Sequence, residues 1–307
     1  MRIGILSRNP ALYSTRRLAQ AAWDRGHEIQ IVDTTVVAVH LGGAAEQGGE
    51  LQVVVNGVAG LGSKSLLPKL DAVIPRIGTS VTFYGLAVVR QFEAAGIVTT
   101  ASSQGIARSR DKLESLQIMA QARLPIPRTA VIARPEALLI AVEAVGGLPI
   151  VVKLIRGTQG RGVILANYLS TISAVLKRAR ELHQQAILQE FIAEAGGRDL
   201  RVIIIGDRCV AAMERHAAEG EFRANLHRGG SAVPVELDAA TQSLARRAAR
   251  AHGLAVAGVD LVRSKRGPLL LEVNSSPGLE GIEQTTGIDV ASAIIDYVEK
   301  AVGRGST

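Results

Sequence analysis

The stretch from Ala257 to Gly278, AGVDLVRSKRGPLLLEVNSSPG, constrains the fold more than any other part of the sequence. Two Val- and Leu-rich runs, GVDLV and LLLEVN, flank Ser264, Lys265, Arg266 and Gly267, which supply turn chemistry. The pattern predicts an antiparallel hairpin. With Arg266 as its hinge, Asp260 and Glu272 lie six residues to either side and face each other across the strands. Glu272 and Asn274, two apart, share a face. Two carboxylates and an amide oxygen then converge inside an apolar hairpin. Buried like charges repel unless a cation neutralises them. Hard oxygen ligands on a rigid hairpin suit Mg²⁺ or Mn²⁺, with nucleotide phosphates completing the octahedron. The competing explanation is a solvated sheet face with its charges outward. Lys and Thr would be expected on such a face, and the flanking residues are instead continuously apolar.

A chain of 307 residues can build two or three lobes. Apolar residues make up 47% but aromatics only 3%, so Val, Leu, Ile and Ala must fill the core. No apolar run reaches the roughly 18 residues of a membrane span. The opening MRIGILSRNP has a strand-length apolar run and no signal-peptide cleavage pattern. A single cysteine, Cys209, sits in an apolar stretch and fits a reducing cytoplasm. The net charge of +7, from 35 basic and 28 acidic residues, favours anionic partners. Dispersed basic residues and scarce aromatics weaken direct nucleic-acid binding as the explanation.

Read in order, RIGIL, a helix over Thr15 to Arg25 with Ser14 as a possible N-cap, and EIQIVD form strand, helix, strand. Residues 34–70 suggest a hairpin or small excursion around the Gly-rich LGGAAEQGGE. DAVIPRIG is a further strand, followed by a helix from about Tyr84 to Ala95. This alternation predicts a small parallel-sheet lobe over residues 1–98, and the absence of G-x-G-x-x-G after the first strand gives no support to a dinucleotide fold. Arg76, at the C-terminal end of a parallel strand, is a ligand candidate or a plain surface Arg. Helical segments run from Ser102 to Ala122, opened again near Ser109 or Arg110 with Asp111 in the first turn. Lys112 near that N-terminus sits against the helix dipole, which an anion would relieve.

IVVKLIRGTQGRGVIL places Lys153 at the end of a strand, before a loop with Gly157, Gly160 and Gly162. No Lys-Ser/Thr closes the loop and a strand follows it, so it is not a Walker loop. It can still close backbone N–H groups over phosphates with Lys153 as a point charge, although a plain hairpin with a surface Lys fits as well. AILQEFI ends near Glu190, where an adenine amino group and ribose could be read. GGRDLRVIIIG puts Asp199 and Arg201 on one strand face, and CVAAMERHA ends in Glu214 and Arg215. EFRANLHRGGSAVPVEL, with Arg223, Asn225, His227 and Arg228, fits a ligand-contacting loop or an exposed mobile one. Helices over Asp238 to His252 and Gly287 to Val302 complete the chain.

Lys153 with its Gly loop, QEF at 189–191, RDLR at 198–201, FRANLHRGG at 222–230 and GVDL with LLLEVNSSPGLEGIE resemble ATP-grasp ligases of the RimK branch. ILSRNPALYS and AVIPRIGTSVTFYG extend the resemblance over nearly the whole chain. NSSPG and FRAN stand where N-A-S-P-G and F-R-S-N are usual, and the Gly-rich segment near 42–62 is longer than in the family.

The resemblance implies an α/β ATP-grasp fold: a pre-ATP-grasp lobe (1–98), a central lobe (99–184) and a C-terminal lobe (185–307), the last two α+β and clasping ATP. It implies that Lys112 and Lys153 bind ATP phosphates, Glu190 and Phe191 the adenine edge, and Asp199 the ribose. Arg223, Ala224 and Asn225 would lie at the phosphates, with Arg223, Asn225 and Arg201 in catalytic roles. Asp260, Glu272 and Asn274 would hold two Mg²⁺ or Mn²⁺ ions. Arg76, Arg215, His227, Arg228 and Ser276 would meet carboxylate substrates and an acyl phosphate. The family adds L-glutamate through α-peptide bonds to the C-terminal tail of the sixth small-subunit ribosomal protein, and some members make poly-α-glutamate. A cytoplasmic homo-oligomer, dimer or tetramer, is expected. Two other readings remain open at this point: the same chemistry on another carboxylate acceptor, and a non-catalytic ATP-responsive ribosome- or RNA-binding regulator.

Overall fold

The structure, a computed structural model, describes residues 1–39, 53–56, 64–66, 69–155, 162–224, 226 and 229–305. The first lobe holds β1 (Arg2–Leu6), α1 (Tyr13–Trp23), β2 (Glu28–Val32), β3 (Val37–Val39), β4 (Val53–Asn56), β5 (Lys64–Leu66), β6 (Ala72–Pro75), α2 (Thr82–Ala94) and β7 (Val98–Thr99). A parallel sheet runs in the order β2-β1-β6-β7. Strands separated by helices pair this way because each crossover returns the chain to the same end of the sheet. The excursion expected over residues 34–70 contains the antiparallel ribbon β3-β4-β5. Most of the Gly-rich segment near 42–62 lies outside the described residues. Helix α1 starts a residue before the expected cap. Leu12 holds the N-cap position, and the Ser14 hydroxyl instead accepts a hydrogen bond from the Leu279 N–H.

Two helices follow, α3 (Ser103–Arg110) and α4 (Lys112–Gln121). Each is capped by its preceding polar residue. Ser102 accepts from the Gly105 N–H, and Asp111 from the N–H groups of Leu113 and Glu114. Asp111 is therefore a cap and not a first-turn residue, because its carboxylate satisfies two orphan donors there.

The central lobe contains β8 (Thr129–Val131), α5 (Leu138–Ala144), β9 (Ile150–Leu154), β10 (Val163–Ala166), α6 (Leu169–Glu181) and β11 (Ala186–Glu190). Its antiparallel sheet runs β10-β9-β11-β8, so β11 pairs with this lobe although it lies beyond residue 184. Leu138, Ile150, Val152, Ile172, Leu176 and Leu188 pack into a core of its own.

The last lobe contains β12 (Arg198–Ile205), β13 (Arg208–His216), β14 (Ser231–Pro234), α7 (Ala239–Ala251), β15 (Val256–Ser264), β16 (Gly267–Asn274), α8 (Glu280–Thr286) and α9 (Val290–Gly305). The antiparallel sheet order is β14-β13-β12-β15-β16. Alternation along β12 decides what each face does. Leu200, Val202 and Ile204 turn to a core that includes Leu244, Ala245 and Ala248 of α7. On the other face Ile203 and Ile205 are covered by Ile294, Ile295 and Val298 of α9 and by Leu279 and Ile282. Asp199 and Arg201 occupy the uncovered end of that same face. The cores of the first and last lobes are continuous, since Ile3, Ile5 and Leu18 share one cluster with the α9 residues, and Val88 and Phe92 share another with residues of α7.

The carboxylate hairpin and its surroundings

The pairing of Asp260 with Glu272 holds, by a different construction from the one expected. Ser264 opposes Gly267, leaving a two-residue turn of Lys265 and Arg266. Gly267 has φ +96°, a conformation that favours glycine. That register alone would set Asp260 opposite Leu271. A bulge between Asp260 and Leu261 admits one extra residue on β16 and brings Glu272 into place. Asn274 opposes Gly258, one pleat further on. A Cβ at Gly258 would meet the Pro277 Cβ at 2.8 Å, so glycine here lets the loop after β16 lie against β15.

Asp260 is 6% exposed, whereas Glu272 is exposed and Asn274 half-buried. Arg201 donates to both Asp260 oxygens, at 2.8 and 2.7 Å. Arg215 donates to both oxygens of Asp199, at 2.6 and 2.8 Å, and reaches Asp260 at 3.1 Å. Burial pushes the Asp260 carboxyl up, but Arg201 and Arg215 outweigh it and hold the group at about 2. Asp199 has one close arginine, so burial and the neighbouring Asp260 charge prevail over Arg215 and push it up to about 6. Arg201 and Arg215, expected at the reacting groups and at substrate, thus neutralise carboxylates on the sheet.

Lys153 extends from β9 beside its cross-strand partners Val163 and Ile187. The Lys112 ammonium donates to the Ile155 carbonyl at 3.0 Å. Burial lowers both lysines and also Arg110, the last residue of α3, while the Glu272 charge opposes that lowering in all three. Glu272 is therefore the shared counter-charge for cations arriving from three separate elements.

Arg223 donates to the Val163 carbonyl at 2.9 Å, tying the last lobe to β10. Its Nε and Nη2 hold Glu221 at 2.8 and 2.6 Å, and its Cζ lies 5.2 Å from the Phe222 ring centre. Phe222 meets Phe191 edge to face at 6.3 Å, and Ala224 is buried. Glu190 is engaged by Arg128 at 3.1 Å and by Arg266 at 2.6 Å. Burial raises the Glu190 carboxyl, but those partners bring it down to about 2.

Arg76 and Ser276 hold the first lobe to the loop after β16. The Arg76 guanidinium donates to the Pro277 carbonyl at 2.8 Å, and Ser276 donates to the Pro75 carbonyl at 3.3 Å. Asn225, His227 and Arg228, with Gly157 and Gly160, lie outside the described residues. Sequence reasoning gives no functional role to Arg110, Arg128, Glu221, Phe222 or Arg266, because nothing local marks the partners that the fold brings to them.

Among the described residues, no three His, Cys, Asp or Glu side chains gather as a metal site. Two carboxylates and an amide leave a cation in need of further oxygens, which phosphate would bring. The set fits a divalent ion in other respects. Glu272 is exposed and carries no ion pair among the described residues, and the buried Asn274 Nδ2 has no hydrogen-bond partner. No helix among the described residues is long and apolar enough to cross a membrane.

Family models match both parts of the chain: a RimK PreATP-grasp domain over residues 1–106 and a RimK-like ATP-grasp domain over 109–298. A probable alpha-L-glutamate ligase 2 of Shewanella denitrificans is 49% identical over 307 residues, covering 100% of this chain and 98% of the relative. A probable alpha-L-glutamate ligase of Picosynechococcus sp. is also 49% identical over 307 residues, with the same coverage of both. Among solved structures, the ATP-grasp ligase PsnB complexed with minimal precursor, Mg and ADP superposes with TM-score 0.73 at 21% identity over 98% of each chain. The D-alanine–D-alanine ligase of Bacillus anthracis complexed with ATP gives 0.67 at 16% identity, over 99% of this chain and 98% of that one. At such identities the structural likeness establishes the fold, ATP-grasp, and the sequence relatives establish more. The chain belongs to the RimK family of ATP-grasp carboxylate–amine ligases, in which these two sequence relatives are named probable alpha-L-glutamate ligases.

Proposed function

We propose that this protein is an ATP-dependent α-L-glutamate ligase that extends the C-terminal carboxylate of a small-subunit ribosomal protein, working through an acyl phosphate. The observation that carries the reading is the placement of Asp260, Glu272 and Asn274 on one hairpin, with Lys112 and Lys153 close enough to feel the Glu272 charge. Family membership supplies the reaction class.

In this reading Lys112 and Lys153 hold the ATP phosphates, and Phe191 with Glu190 flanks the adenine. Asp199 serves the ribose, and Ala224 and Asn225 lie along the nucleotide. Asp260, Glu272 and Asn274 would hold two Mg²⁺ or Mn²⁺ ions, whose charge would offset that of the phosphates when bound. The acceptor carboxylate attacks the γ-phosphate, giving acyl phosphate and ADP. The glutamate amine then attacks the acyl carbon, and phosphate leaves. Arg223, whose guanidinium meets Val163 and Glu221, stabilises the oxyanion in this reading. Arg201 and Arg215 keep Asp260 ionised, with Arg76, His227, Arg228 and Ser276 toward substrate. No protein nucleophile is needed. The half-buried Cys209 has its thiol pushed up by burial and donates to the Gln242 carbonyl. A cytoplasmic location and a homo-oligomeric state belong to the same proposal.

Mass spectrometry after incubation with ATP, Mg²⁺ or Mn²⁺, glutamate and the ribosomal protein tests it. A product ladder spaced by one glutamyl residue is expected. A single addition to some other acceptor would redirect the reading, and ATP consumption indifferent to glutamate would overturn it.

A further inference from the structure

We infer that Arg76 and Arg110 together form a seat for a substrate carboxylate, beside the carboxylate hairpin. The inference rests on the ligase reading and names a part of that site for which Arg110 gave no sequence motif.

The two guanidiniums come from different lobes. Arg76 leaves the C-terminal end of β6, and Arg110 closes α3. Both anchor on one junction. Arg110 donates to the carbonyl of Ile77, the residue after Arg76, and Arg76 donates to the carbonyl of Pro277, three residues past Asn274. Neither makes an ion pair among the described residues: each is held by a neutral carbonyl that uses one N–H and leaves the rest of the fork for another partner. This is the reverse of Arg201 and Arg215, which have carboxylates within 3.1 Å. Two partly buried like charges side by side are costly without an anion. Burial and the neighbouring Arg110 charge bring Arg76 down to about 10, in keeping with a missing counter-ion. Glu272 acts on Arg110 from beyond ion-pair distance, which sets the seat near the metal hairpin and still leaves it open.

A planar fork pair suits a carboxylate, which accepts two parallel hydrogen bonds from each guanidinium. The ligase reaction brings two such groups to this place: the acceptor's C-terminal carboxylate and those of the incoming glutamate. In the ligase reading the phosphates already have Lys112 and Lys153.

The test titrates L-glutamate, and separately a peptide ending in glutamate and its C-terminal amide, into the intact protein with Mg²⁺ and a non-hydrolysable ATP analogue. Wild type, Arg110→Gln, Arg110→Lys and Arg76→Gln are compared. Loss of one bidentate charged contact weakens binding about 10- to 100-fold. Arg110→Gln is expected to weaken glutamate, or the free-acid peptide but not its amide, to that extent, with nucleotide affinity unchanged. Weakening of glutamate assigns the seat to the donor, and weakening of the free-acid peptide assigns it to the acceptor. Arg110→Lys keeps charge and loses the fork, so it is expected to fall between. It also serves if Arg110→Gln melts early. Unchanged affinity for all three probes in folded Arg110→Gln and Arg110→Lys overturns the seat. The ligase reading fails separately, if wild type turns over no ATP with glutamate and any acceptor; the binding comparison then still decides the seat.

Discussion

Replacing Asp260 by Asn separates the two jobs of this side chain, holding arginines and holding metal. In the ligand-free protein Asp260 takes two hydrogen bonds from Arg201 and one contact from Arg215. Breaking a fully buried pair by removing one partner costs about 3–5 kcal/mol. Three features reduce that figure. The Arg201 side chain is 22% exposed and can be partly hydrated. Arg215 keeps Asp199. Loss of the Asp260 charge also relieves the strain on Asp199, since that charge helps to raise it. A net cost of about 2 kcal/mol follows, or roughly a 4 °C fall in melting temperature for a chain of this size. The pH dependence has a definite sign. The folded carboxyl titrates near 2, below its unfolded value of about 3.9, so its stabilisation is complete above that value and fades as pH falls. The gap between wild type and Asp260→Asn should narrow by about 1 kcal/mol between about pH 5 and about pH 3. Urea unfolding at both pH values, without metal or nucleotide, measures it. Equal or greater stability of the variant near neutral pH, or a gap that widens in acid, would refute the reasoning.

Glu272→Ala should abolish turnover and leave the protein folded, at a cost of about 1 kcal/mol or less, because the carboxylate is exposed and acts on Lys112, Lys153 and Arg110 without an ion pair among the described residues. Full activity in a folded variant would remove Glu272 from the metal set. Gly258→Ala puts a methyl 2.8 Å from the Pro277 Cβ, so the loop carrying the Arg76 anchor must move. A loss of about 1–3 kcal/mol by thermal melting is expected, with a raised KM for a carboxylate substrate. A normal KM would show that the loop shift does not reach the site.

Much of the fold is legible because its signals are local. Runs rich in Val, Leu and Ile mark β12, β15 and β16, and the helix expected from Asp238 to His252 is α7, with Asp238 as its cap. The sequence pairs Asp260 with Glu272 about Arg266 as hinge, whereas the turn is Lys265–Arg266 and the bulge at Leu271 makes up the difference of one residue. Nothing in the local sequence signals that bulge, which depends on how β16 meets β15. The partners of Arg76 and Ser276 lie 201 residues away and are backbone carbonyls, so residue type gives no hint of them. Arg201 and Asp260, 59 residues apart, share one reason for being hidden: they become neighbours only through the strand order β12-β15. Glu190 reads from sequence as a free hydrogen-bonding group, but the fold brings Arg128 and Arg266 onto it.

The middle lobe keeps most of its apolar residues to itself, and the other two lobes interleave theirs. Mechanically the molecule is an anvil bearing the hairpin and a hammer bearing Lys153, tied together by contacts such as Arg223–Val163 and Arg266–Glu190. Damage to the hammer's interior would leave the anvil's chemistry in register, whereas a flaw beneath α9 would disturb two lobes together.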